Sequence, residues 1–78
     1  PDTLTSAIKL AIALRSLGDY DQARDLHRDA LTRRRRILGP DHPKTRKSAR
    51  YLAGILRELG EHERAGEIEA EYGLAGTQ

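Results

Sequence analysis

The chain has 78 residues, a net charge of +2, 37% apolar and 33% charged residues, and no cysteine. Its length bounds it to one small domain whose core barely offsets the entropy lost on folding, and the missing cysteines remove disulfides and thiolate metal sites as support. No run approaches the ~18 apolar residues of a membrane span, and the opening PDTLTSAIKL lacks the layout of a signal peptide, so the expected compartment is the cytoplasm.

The first predicted element is a helix over about residues 3–17, because Ala7, Leu10, Ala11, Leu14 and Leu17 recur at spacings of three and four and share one face. Gly18 stops it, since a glycine just past the last periodic residue takes the left-handed conformation without steric cost. Asp19 is the expected cap of a second helix over about residues 20–38, with Asp21 and Asp25 near its positive end. Its inner face carries Tyr20, Ala23, Leu26, Ala30 and Leu31, with His27 a further candidate. The segment 39–43 holds two prolines and ends that helix.

A third helix over about 45–59 follows, with Ala49, Leu52, Ala53, Leu56 and Leu59 inward, and a fourth over about 62–72, with Ala65, Ile68 and Tyr72. Gly54 and Gly66 each cost a helix about 1 kcal/mol relative to alanine, so the second pair is expected to be the less stable. The tail 73–78 has no helical period and is expected to fray. The predicted class is all-α, with four helices in two antiparallel helix-turn-helix units spanning 1–42 and 43–72.

The two units are copies. A shift of 42 residues superposes Pro1 on Pro43, Thr3 on Thr45, Ser6 on Ser48, Ala7 on Ala49, Leu10 on Leu52 and Ala11 on Ala53. It continues with Leu14 on Leu56, Arg15 on Arg57, Leu17 on Leu59, Gly18 on Gly60 and Ala23 on Ala65. The order Leu-Ala-x-x-Leu, then Leu-Gly-acid-aromatic-x-x-Ala, resembles the tetratricopeptide repeat. The 42-residue spacing and the loop from Leu38 to Thr45 are similar to its kinesin-light-chain-like variety. The resemblance covers residues 1 to about 72 and implies an α-solenoid whose first helices line a groove that holds a peptide or protein partner.

On that resemblance the groove side shows Thr5, Ile8, Lys9, Ile12 and Arg15 from one unit and Lys47, Arg50, Tyr51, Gly54 and Arg57 from the other. The candidate partner-binding residues are Lys9, Ile12, Arg15, Lys47, Arg50, Tyr51 and Arg57. Their charge favours an acidic peptide or a C-terminal carboxylate, with Arg50 and Arg57 as the foremost contacts. The variety often carries a pair of asparagines before the Leu-Ala of the first helix. Here Ile8 and Lys9, then Arg50 and Tyr51, stand in those places, so that gripping device is not carried over.

Charge is uneven along the chain, +8 over residues 24–57 and −5 over 58–78. The basic segment raises nucleic-acid binding as a further alternative, opposed by the scarcity of aromatics: three tyrosines, two of them read as packing residues, give no base-stacking platform. The run Arg33 to Arg36 spreads around more than a full turn and complements the helix dipole, and the acidic cluster from Glu58 to Glu71 reads as a charged helix surface. His27, His42 and His62 are read as core, loop and cap residues, since their spacing matches no metal motif. Cofactor sites and catalytic residues are not expected: there is no nucleophile elbow, no phosphate loop and no carboxylate pair in apolar surroundings. Fewer than two complete units normally need neighbours. The sequence is therefore expected to be a piece of a longer array, or else to self-associate through unsatisfied end faces.

Overall fold

A computed structural model describes residues 3–74, and every regular element in them is helical. The helices are α1 (Thr3–Ser16), α2 (Tyr20–Leu38), α3 (Pro43–Glu58) and α4 (His62–Glu71). Each packs against the next in chain order, so that two antiparallel hairpins stack with α2 and α3 in contact at their junction. None of these helices is long and apolar enough to cross a membrane.

Local chemistry sets the helix ends. Asp19 accepts from the backbone N–H of Gln22 at 3.4 Å and from its side-chain amide at 2.6 Å, which caps α2. His42 does the same for α3, its Nδ1 accepting the Lys44 N–H at 3.1 Å. Pro43 then occupies the first turn, where no N–H is needed. That cap starts α3 two residues ahead of the expected Thr45. Three helices end in one way: the N–H of Gly18, Gly60 or Gly73 and that of the following residue turn back onto carbonyls of the last turn, with φ of 88°, 83° and 68° at the glycines.

The third of these turns corrects the expected fraying of the tail. Leu74 donates to the Glu69 carbonyl at 2.7 Å and its side chain is buried in the core beside Tyr72, so order extends past Gly73. Residues 75–78 of the predicted tail lie outside the described residues.

The core gathers small residues where helix axes approach and branched ones between them: Ala11, Ala23, Ala49, Ala53 and Ala65 with Leu31, Leu52, Ile55 and Leu56. The inner face of α1 differs from expectation. Ala11 is buried and Leu14 partly so, but Leu10 is 53% and Leu17 82% exposed, while Ile8, expected to face the groove in the open, is buried. The reason is positional. In the second unit Leu52, the counterpart of Leu10, is covered to 3% exposure, since α3 has α2 as well as α4 against it and Leu52 lies with Arg28 of the one and Ile68 of the other. Among the described residues no helix stands on the corresponding side of α1.

Candidate functional site

Between α1 and α3 runs an open cleft of about 360 Å³. From α1 it is lined by Thr5, Ile8, Lys9 and Ile12, and from α3 by Lys44, Lys47 and Tyr51. Arg34 of α2 closes its floor. The spacing accounts for the two walls. Thr5, Ile8, Lys9 and Ile12 are three and four apart on α1, as Lys44, Lys47 and Tyr51 are on α3, so each set lies along one helix face.

The lining has a strong sign. Lys9, Arg34, Lys44 and Lys47 are cationic, and among the described residues no carboxylate lines the cleft. The three lysines have no ion pair among the described residues. The apolar share comes from Ile8, Ile12 and the ring of Tyr51. That ring is held from behind by His27, stacked on it at 5.2 Å between centroids and 21° between planes. His27 is itself buried, and its Nδ1 has no hydrogen-bond partner among the described residues. Burial, assisted by the positive charge of Arg15, holds its pKa below the ordinary 6.5, so the imidazole is neutral at neutral pH.

Arg34 is the member of the site that the sequence concealed. It is only 7% exposed and donates from one guanidinium nitrogen to the Lys44 carbonyl at 3.0 Å and the Ser48 hydroxyl at 3.1 Å. These bonds fasten the end of α2 to the start of α3. The run Arg33 to Arg36 therefore divides by direction: Arg33 pairs with Asp29 one turn back, Arg35 with Glu71 and the Tyr72 ring, and Arg34 alone turns inward.

The expected contact residues separate into two groups. Lys9, Ile12, Lys47 and Tyr51 come together in the cleft. Arg15 and Arg57 do not line it: Arg15 bridges α1 to α3 through Glu58, and Arg57 bridges α3 to α4 through Glu69. Each guanidinium holds its partner carboxyl below the ordinary carboxylate range. Arg50 is exposed, unpaired among the described residues and outside the cleft lining. Lys44 is an addition that the sequence placed only in the loop signature.

The acidic residues after position 57 also have a different part from the solvated surface expected of them. Glu58, Glu61, Glu69 and Glu71 reach Arg15, Arg24, Arg57 and Arg35 respectively, each on another helix. Arg46 donates to the carbonyls of Tyr72 and Gly73, both at 3.3 Å, at the end of α4. Arg24, Arg35 and Arg57 of the basic middle segment are thereby paired within the fold, which removes part of the charge that a nucleic-acid backbone would require. The histidines occupy separate places, His27 in the core, His42 at the α3 cap and His62 at the start of α4.

Two stacked helical hairpins with an open cleft between their first helices define an α-helical repeat protein of the class that binds other proteins. The tetratricopeptide-repeat family model matches residues 2–71, and the chain belongs to that family. Comparison with curated proteins and with solved structures finds no match to either. Tetratricopeptide repeats generally mediate protein–protein interactions and are typically non-catalytic.

Proposed function

We propose that the chain holds an acidic peptide segment of a partner protein in the cleft between α1 and α3. The observation that carries the reading is the composition of that cleft among the described residues: four cations from three helices, no carboxylate, and an apolar strip of Ile8, Ile12 and Tyr51. Cations there place attraction along an extended acidic chain, and the strip offers burial to an apolar side chain flanking it. Tyr51 braced by His27 loses little freedom on binding, which favours affinity. The kinesin-light-chain-like spacing of 42 residues supports a groove of this orientation, although the asparagine pair of that variety is replaced.

The test is a comparison of blocked peptides, one rich in Asp and Glu with a single apolar residue and one with Lys in place of the acids, by fluorescence anisotropy. The acidic peptide is expected to bind at least tenfold more tightly, with the difference lost in Lys47→Glu. Equal binding of both peptides would refute the reading.

A second reading is favoured by the uncovered side of α1. Leu10 lies exposed where its counterpart Leu52 is covered, and Leu17, just past the end of α1, is exposed as well. A second copy docking there would bury about 1.5–3 kcal/mol per leucine. Light scattering over a hundredfold concentration range tests it: a dimer that Leu10→Lys dissociates is the expected result, and a monomer throughout refutes it.

A further inference from the structure

Resting on the proposed peptide cleft, we infer that the Arg34 end of it is a phosphate site, which takes a phosphorylated side chain of the bound segment. Arg34 carries a full charge at 7% exposure, and its two hydrogen bonds go to a carbonyl and a hydroxyl, neither of which neutralises it. A buried charge is ordinarily paired, because desolvation without a counter-ion is costly. The cleft is the open side of this guanidinium, and what lines it there is more positive charge, from Lys44, Lys47 and Lys9.

The start of α3 adds an independent sign. The first turn of α3 contains no acidic residue and carries Lys44, although the positive end of a helix dipole disfavours a cation. The first turns of α2 and α4 carry Asp21 and Glu63, while that of α1, like that of α3, has no acidic residue. An anion at this end of the cleft would relieve Arg34, Lys44 and the dipole together.

The charge count distinguishes a phosphoryl group from a carboxylate. One carboxylate offers a single negative charge to four cations, whereas a phosphorylated side chain brings close to two and three acceptor oxygens. Cations reach the cleft from α1, α2 and α3, a three-sided set suited to a tetrahedral anion more than to a planar one. The apolar walls Ile8, Ile12 and Tyr51 favour a peptide as its carrier.

The experiment uses the intact chain labelled with nitrogen-15, titrated first with inorganic phosphate and with acetate. Blocked alanine-flanked pentapeptides centred on phosphoserine, aspartate or serine follow. Saturable shifts are expected at the Arg34 side-chain N–H and the Lys44 and Lys47 amides, with phosphate at least tenfold tighter than acetate. Phosphoserine should exceed aspartate by a similar factor, and Lys47→Glu and Arg34→Lys should each weaken it at least tenfold while circular dichroism stays helical. If Arg34→Lys loses helicity, the exposed Lys47→Glu carries the test alone. Acetate matching phosphate, aspartate matching phosphoserine, or shifts spread equally over Arg28, Arg36 and Arg50 would overturn the phosphate site while leaving an acidic-peptide cleft standing. Failure of the larger Asp- and Glu-rich peptide to perturb the cleft would remove the cleft reading itself.

Discussion

At the scale of single residues, the glycines separate local from tertiary causes. Gly60 holds φ at +83°, so a Cβ there meets backbone strain although the space around it is open. Gly60→Ala is expected to cost roughly 1–2 kcal/mol. Gly54 lies inside α3, nothing stands within 4 Å of the place an added methyl would take, and Gly54→Ala should stabilise by about 1 kcal/mol. Thermal melts should thus move in opposite directions, by roughly 4–8 °C per kcal/mol in a domain of this size.

His27 supplies a pH dependence. Its folded pKa is lowered by burial and by Arg15, so the unfolded chain binds the proton first as pH falls. The stability it contributes is complete above the ordinary 6.5 and is lost as pH drops from there toward the folded value. The slope is at most about 1.4 kcal/mol per pH unit. Glu58 and Glu69, with lowered values, lose their contribution only below 4.5, so the two windows are distinct. Urea melts between pH 7 and 5 should show a smaller slope in His27→Phe, which keeps a ring against Tyr51, than in the wild type.

Legibility at this scale follows the range of the interaction. The cap at Asp19 acts on an N–H group three residues away and could be read from the chain, whereas His42, read as a loop residue, caps α3, and His62, read as a cap, lies inside the first turn of α4. Arg34 could not, because four consecutive arginines give no sign of which one turns inward until α3 supplies Lys44 and Ser48.

At the scale of the element, the helices follow from period and punctuation, and burial depends on neighbours. Leu10 and Leu52 are the same residue in the two copies, yet one is 53% and the other 3% exposed. Leu52→Ala is expected to cost roughly 2–5 kcal/mol, whereas Leu10→Ala should change monomer stability by under about 1 kcal/mol. Chemical denaturation at low protein concentration checks both. Equal costs would mean that something covers α1, and a Leu10→Ala cost that grows with concentration would support self-association. The apolar period of α1 thus forecast its helix correctly and its buried face only in part, since an outward stripe awaiting a cover has the same pattern as an inward one.

The same limit explains the groove. Residues expected there from the repeat divided into Lys9, Ile12, Lys47 and Tyr51, which line the cleft, and Arg15 and Arg57, drawn away by Glu58 and Glu69. Helical position predicts a face, but a long guanidinium side chain follows the nearest carboxylate, and those carboxylates come from α3 and α4.

At the scale of the whole molecule, charge ties the sequence together. The acidic end of the chain returns to the basic middle, and Glu61, Glu69 and Glu71 meet arginines of α2 and α3. A radius of gyration of 11.8 Å, near the roughly 11.5 Å expected of a compact chain this long, shows that the hairpins are not splayed. Of the cations left without an ion pair among the described residues, Lys9, Arg34, Lys44 and Lys47 gather in the cleft. Binding of an acidic peptide should therefore weaken as salt rises, while the melting temperature, resting on the alanine and leucine core, should change little. A peptide affinity insensitive to salt over roughly a tenfold rise in ionic strength would contradict a cleft held by charge.

The most direct measurement of the acidic-peptide cleft is a chemical-shift map of the labelled chain under an excess of a blocked Asp- and Glu-rich peptide. A continuous patch of shifts over Lys9, Ile12, Lys44, Lys47 and Tyr51 that vanishes in Lys47→Glu is the predicted result. Shifts confined to α4 or to the outer surface of α2, with the cleft silent, would contradict it.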